Sequence, residues 1–307
     1  MTDLYPSRHL SLPAIAKRHD PVLHATELAD APISTDQMRQ YETDGVLVLE
    51  NVLSAEEVAA LKAETSRLRE TPNALQDGTV ISEPGRDGES AVRSVFAVHQ
   101  QSAALGRLAA DERLAGLARF LLNDDVYIHQ SRINYKPAFR GKEFYWHSDF
   151  ETWHTEDGMP RMRALSMSVM LNDNHPQAGP TMFVPGSQNE YVQCVGQTPD
   201  NHYKDSLRKQ EYGVPDDDSL CRLVEEGGII APTPSAGSVV VFDCNTMHGS
   251  NGNITPLERV NAFFVFNAWS NRLVEPFGGT QPRPEFIAHR QVEAPLRRKP
   301  DQQQHAA

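Results

Sequence analysis

The run Phe144-Tyr-Trp-His147-Ser-Asp149-Phe-Glu-Thr-Trp153-His154 places an imidazole and a carboxylate two positions apart. On a strand, residues i and i+2 point to the same side, so His147 and Asp149 can share one target. They supply two of the three ligands of a 2-His-1-carboxylate facial triad, which holds non-haem Fe(II) and leaves positions open for a bidentate co-substrate and O2. The third ligand must come from a distant segment. His248 qualifies because it follows the apolar run Ser238-Val-Val-Val-Phe242, a strand that ends at the rim of the same core. A lone His-x-Asp pair is weak evidence, since the chain has 12 histidines and such pairs also arise as surface or packed groups. Arg259, just ahead of the apolar run Val260 to Phe266, adds weight. An arginine there can clamp the distal carboxylate of 2-oxoglutarate through two parallel hydrogen bonds. A solvated charge at a strand edge is the structural alternative. Ser250 offers the same carboxylate a hydroxyl.

These groups need elements to carry them. Val126, Ile128 and the alternating residues after them begin a strand on which Gln130, Arg132, Asn134 and Lys136 share one face, with Ser131, Ile133 and Tyr135 on the other. Further strands are expected over 165–171, 181–184, 238–242 and 259–266, separated by Gly179-Pro180 and Pro185-Gly186-Ser187. Upstream, a helix over 34–43 leads through Asp44-Gly45 to a buried strand, Val46–Leu49. Ser54 and Glu57 have the spacing of a capping box, and Val58, Leu61, Thr65 and Leu68 follow on one helical face. One helix is expected over 103–122. Residues 1–33, broken by Pro6, Pro13, Pro21 and Pro32, read as irregular. Residues 195–230 read as a polar surface excursion with Asp216-Asp217-Asp218 in a solvated loop, and 297–307 as a frayed tail. Helices first and strands later, without βαβ alternation, imply a mainly β fold with flanking helices and a double-stranded β-helix (jelly-roll, cupin-like) core. The expectation is a single domain over 1–307, with a helical part to about 124 and the core over 125–295.

Composition excludes other classes. The 307 residues are 39% hydrophobic and 23% charged, a globular balance. A net charge of −12 argues against nucleic acid, which needs a basic patch, and against an anionic membrane surface. The first residues lack the apolar core of a signal peptide, and no stretch approaches the roughly 18 apolar residues of a membrane span. Cys194, Cys221 and Cys244 form no CxxC pair and read as reduced thiols of a cytoplasmic protein. His129 and His154 fit no ligand pattern and read as packing or outer groups. Segments 153–158 and 195–215 are candidate lids.

The set His147-Ser-Asp149, Gly179-Pro-Thr-Met-Phe-Val-Pro-Gly-Ser187, His248 and Arg259 resembles the phytanoyl-CoA dioxygenase branch of the Fe(II)/2-oxoglutarate-dependent oxygenases. The longer run from Trp146 to Pro160 resembles the signature of the ectoine hydroxylases within it, and the likeness extends over residues 5–295. That resemblance implies Fe(II), 2-oxoglutarate and O2, and conversion of ectoine to 5-hydroxyectoine with release of succinate and CO2. Carried over, it makes His147, Asp149 and His248 the iron ligands. Lys136, Asn134, Ser250 and Arg259 would hold 2-oxoglutarate, and Gln130, Thr152, Trp153, Phe242, Asn261 and Phe263 would form the ectoine pocket. It also implies a homodimer. Ectoine pairs a carboxylate with a cationic amidine ring, which suits an indole wall at roughly 0.5–2 kcal/mol, and Trp153 is the expected wall. Plain core packing is the alternative for Trp153, Phe242 and Phe263. Two other functions stay open at this point. One is a related oxygenase acting on another small zwitterion such as proline. The other is a non-catalytic jelly-roll protein binding a metal or ligand, which would have no need of Lys136 and Arg259.

Overall fold

The computed structural model describes residues 2–9, 11–28, 31–84, 90–199, 201–207 and 211–297. Among these residues the β-branched and aromatic runs form twelve strands. They are β1 (Ala14–Lys17), β2 (Val46–Leu49), β3 (Val80–Pro84), β4 (Ser90–Phe96), β5 (Val126–Lys136) and β6 (Phe144–His147). Then come β7 (Ala164–Met170), β8 (Thr181–Phe183), β9 (Glu190–Gln193), β10 (Val239–Asp243), β11 (His248–Ser250) and β12 (Arg259–Ala268). Seven make one sheet in the order β2-β10-β7-β12-β5-β4-β3, while β6-β11-β8 form a second and β1-β9 a third. Every pairing is antiparallel. This is the expected double-sheet core.

Alternation along the central strands sorts the two faces of the large sheet. Met167, Val169, Val241, Ala262 and Phe264 turn to one side and pack beneath helix α2 (Ala55–Glu70) through its Val58, Leu61 and Leu68. Helix α1 (Thr35–Asp44) and α2 both begin with the full reciprocal capping box, Ser34 with Gln37 and Ser54 with Glu57. Val240, Phe242 and Phe263 turn to the other side and meet Phe183 of the small sheet. The cleft described below opens between these two sheets.

Four expectations change. The proline-broken N-terminal segment contains β1, which pairs with β9. The part expected to be helical supplies β3 and β4 to the large sheet besides the expected β2. The helix over 103–122 is divided into Ala103–Ala109, a π turn Glu112–Gly116 and Leu117–Leu122. Asp111 causes the division by accepting from the Arg113 amide and starting a second helical piece, so a cap prevails over continuous periodicity. Asp216 likewise caps a helix, Asp217–Gly227, and is not part of a solvated loop. The expected tail falls, beyond residue 297, outside the described residues. Among the described residues no helix is long and apolar enough to cross a membrane.

Candidate metal and co-substrate site

The two histidines face each other because their strands do. In the β6–β11 pair His147 lies directly opposite His248, and the ring centres are 4.2 Å apart. Each Nδ1 donates to a main-chain carbonyl two residues back, His147 to Tyr145 and His248 to Thr246, both at 2.9 Å. That leaves both Nε2 atoms as lone-pair donors pointing at one place. The strand carrying His147 ends there, so Asp149 arrives on the first residue of a helical turn, Asp149–Thr152, and not on a continuing strand. Its carboxylate lies 3.6 Å from His147 Nε2 and 3.9 Å from His248 Nε2, and Ser166 donates to it at 3.2 Å. The three ligand atoms lie within 4.8 Å of one another, the spacing that one metal ion requires. Burial, and then the neighbouring His147, lower the His248 pKa to about 4, so the ring is neutral and free to ligate at pH 7. Burial alone would raise the Asp149 pKa, but His248 and His147 outweigh it and hold the carboxyl ionised.

The same cleft, about 560 Å³ including its opening to solvent, continues from the histidines to a cationic wall. Arg259 stands opposite Lys136 in the β12–β5 pair, and Arg132 opposite Phe263, over whose ring its guanidinium lies at 5.0 Å. Lys136 Nζ donates to Ser250 Oγ at 2.8 Å and to the Asn251 carbonyl at 2.5 Å. Arg259 donates to Thr181 Oγ1 at 3.3 Å. Burial and then the nearby cations lower Lys136 to about 6, and burial and then Arg93 lower Arg259 to about 10. The Nε atoms of Arg132 and Arg259 are buried without a hydrogen-bond partner, and neither residue has an ion pair among the described residues. Orphaned guanidinium donors on a cleft wall fit an anionic ligand, because a buried unsatisfied donor costs about 1–3 kcal/mol until something accepts from it. A carboxylate answers that need.

Of the expected residues, the cleft brings together His147, His248, Asn134, Ser250, Arg259 and Phe263, with Asp149 beside the histidines and Lys136 behind Ser250. Asn261 pairs across with Asn134, donates to Ser168 Oγ and keeps a partnerless buried Oδ1. Phe242 packs 5.0 Å from the His248 ring and braces it. Gln130 is tied down by its bond to the Ile287 carbonyl and accepts from Arg132. Thr152 and Trp153 lie off the cleft lining. Trp153 is 3% exposed, packed with Phe150, Met159 and Met162, with His129 at 5.2 Å. In this structure its indole therefore occupies the packed position that stood as the alternative.

Residues 153–158, one of the two candidate lids, are all buried and wall off one side of the turn. Gly158 closes the turn at φ +77, and a Cβ there would come 2.0 Å from the Val274 carbonyl oxygen, so only glycine fits. The wall is held from the N-terminal side. Arg8 donates to both oxygens of Glu151, to Glu156 at 2.6 Å and to Thr198 at 2.6 Å. Arg93, Ser94, Phe96, Thr181 and Leu207 also line the cleft and carried no expected role. Alternation on β4 signals Ser94 and Phe96. Leu207 belongs to the second candidate lid, of which residues 200 and 208–210 lie outside the described residues.

Two facing histidines, an adjacent carboxylate and an arginine-lined cleft between two β-sheets define a non-haem metal-dependent oxygenase of the 2-oxoglutarate-using kind. The profile of the phytanoyl-CoA dioxygenase family matches residues 41–261, and the chain belongs to that family, in its ectoine dioxygenase branch. It is 57% identical over 297 residues to the ectoine dioxygenase of Sphingopyxis alaskensis, covering 97% of this chain and 96% of that one. It is 54% identical over 300 residues to the ectoine dioxygenase of Stutzerimonas stutzeri, covering 98% of each. Among solved structures, EctD from S. alaskensis with 2-oxoglutarate and 5-hydroxyectoine superposes with a TM-score of 0.88 at 52% identity, over 97% of this chain and 98% of that one. The same protein with bound Fe gives 0.87 at 51%, with the same coverage.

Proposed function

We propose that the chain is an Fe(II)- and 2-oxoglutarate-dependent dioxygenase that hydroxylates ectoine to 5-hydroxyectoine with release of succinate and CO2. One observation carries this reading: the metal-ligand trio and the orphaned guanidinium wall share a single cleft. A metal-binding protein without turnover has no use for the second half of that arrangement. The relatives called ectoine dioxygenases and the EctD complex supply the substrate.

The roles follow from the chemistry of each group. His147, Asp149 and His248 hold iron, two neutral imidazoles and one carboxylate leaving part of the coordination sphere open. Bound iron supplies the coupling of O2 to 2-oxoglutarate decarboxylation and the transfer of one oxygen atom to the substrate ring. Arg259 clamps the distal carboxylate of 2-oxoglutarate, with Ser250, Lys136 and Asn134 completing the cradle. The two ends of the co-substrate are thereby fixed by opposite ends of the cleft, which orients its keto-acid toward the ligand trio. Phe263, Phe242 and Asn261 form the ectoine side, Gln130 supports it from β5 through Arg132, and Thr152 and Trp153 brace it from the buried turn that starts at Asp149. Phe242 and Phe263, apolar rings beside His248 and Arg132, exclude water from that side of the cleft. The whole chain acts as one domain, works in the cytoplasm and assembles as a homodimer.

The test is succinate release with Fe(II) and 2-oxoglutarate, with and without ectoine. Succinate formed one-for-one with hydroxyectoine is the expected result. Equal release with free proline in place of ectoine would move the reading to another zwitterion, and none with either would remove it.

A further inference from the structure

An irregularity in the edge of the large sheet sends two consecutive side chains toward the cleft. Across β3 and β4, Ser94 pairs with Ile81 but Val92 pairs with Ser82, so Arg93 has no residue opposite it. A bulge of this kind re-aims a side chain that a regular strand would turn away. Arg93 and Ser94 both line the cleft as a result, on the same lining as Asn134 and Arg259. The Arg93 guanidinium is buried and donates to the buried Glu83 carboxylate at 2.9 Å. It also lies 5.6 Å from the centre of the Phe144 ring, and that ring packs edge-on against His147 at 4.9 Å. Arg93 is thus the one arginine of the cleft wall with a carboxylate partner among the described residues, and it touches the residue that braces a metal ligand.

We propose that Arg93, oriented by Glu83, is a positioning residue for the co-substrate end of the cleft and sets its preference for a dicarboxylate. It acts through Phe144, which it holds against His147, and through its charge. Glu83 offsets part of that charge, so the pair presents a tuned and not a full cation to the wall. The depression of both Lys136 and Arg259 includes a contribution from Arg93, which means that its charge reaches both groups. A dianion gains more from such a field than a monoanion of similar length. This inference rests on the 2-oxoglutarate reading given above.

The experiment is calorimetric binding of 2-oxoglutarate, and of the monocarboxylate 2-oxopentanoate, to the full chain with Zn(II) in place of iron. Wild type is compared with R93M, R93K and E83Q, each with a thermal melt. R93M keeps the stem over Phe144 and removes the charge, so 2-oxoglutarate should bind about tenfold more weakly, with 2-oxopentanoate affected less. R93K should retain most of the affinity. E83Q uncovers the Arg93 charge and should tighten 2-oxoglutarate binding by roughly threefold. Opposite signs for R93M and E83Q support the proposal, because a merely structural ion pair would give losses in both. Shifts in the same direction, or no change in R93M, overturn it. If E83Q does not fold, the contrast between R93K and R93M decides the same question. Failure of the wild type to bind 2-oxoglutarate overturns the functional reading itself and this inference with it.

Discussion

His147 and His248 each spend Nδ1 on a main-chain carbonyl, and Asp149 takes the Ser166 hydroxyl. Arg132 and Arg259, on the other wall of the same cleft, keep buried Nε atoms that nothing in the described chain accepts from. The metal end is therefore set by local chain geometry before any ligand arrives. The carboxylate end is left incomplete and reaches its lowest free energy only with an anion in place. A site divided in this way can bind metal with little rearrangement and use the co-substrate to settle the rest.

The contrast is open to attack at several strengths. The largest effect belongs to the ligands. His147→Ala, Asp149→Ala or His248→Ala should reduce ectoine-dependent succinate formation below detection while circular dichroism and the melting temperature change little. Full turnover by any of them breaks the metal assignment. Arg259→Gln comes next and should raise the KM for 2-oxoglutarate by about a hundredfold, since it leaves a buried carboxylate without its charged partner. Its KM for ectoine should move far less.

The third effect is one of pH. Lys136 has a pKa of about 6 in the free protein, pressed down by burial and by Arg259 and Arg93, with Glu83 and Glu143 acting the other way. Above that pH the free protein carries a neutral amine, whereas a bound dicarboxylate favours the charged form and raises the pKa. Binding then takes up a proton, and affinity falls as pH rises. The expected loss is up to about tenfold per pH unit between pH 6.5 and 7.5, absent in Lys136→Met and measurable by titration in buffers of different ionisation enthalpy. The smallest effect is that of Ser166→Ala, which should weaken divalent-metal affinity by about threefold. A loss as large as that of Arg259→Gln would mean that the metal end is no better prepared than the other.

What was legible in the sequence follows the same division. The metal trio could be read because few residue types ligate Fe(II) and because the His147-Asp149 pair, weak alone, is followed in order by His248 and Arg259. Arg259 was legible from its place before a buried strand. Arg93 was not, because its direction depends on a slip in the register of β3 against β4 that no periodicity announces. The break at Asp111 and the strand β1 were missed for a related reason: a cap competes with helical spacing in the first, and a distant partner, β9, makes the second. Trp153 shows the limit in the other direction. Its type and neighbours suit a ligand wall, yet its surroundings are those of a core residue.

The family profile begins at residue 41, but the cooperative unit begins earlier. Arg8 neutralises Glu151 and Glu156, buried groups of the turn that starts at Asp149, and lies 143 and 148 residues from them in the chain. A fragment begun at residue 41 would leave the buried Glu151 without its ion-pair partner and Glu156 with Arg283 alone, 3.8 Å away, at a cost of several kcal/mol. The order of synthesis matters too. Arg8 leaves the ribosome long before Glu151, Glu156 or Thr198, so it waits unpaired and exposed until they emerge. The strap that fastens the ligand turn is thus made early and closed late, and a nascent chain stalled before residue 151 would present it unfastened.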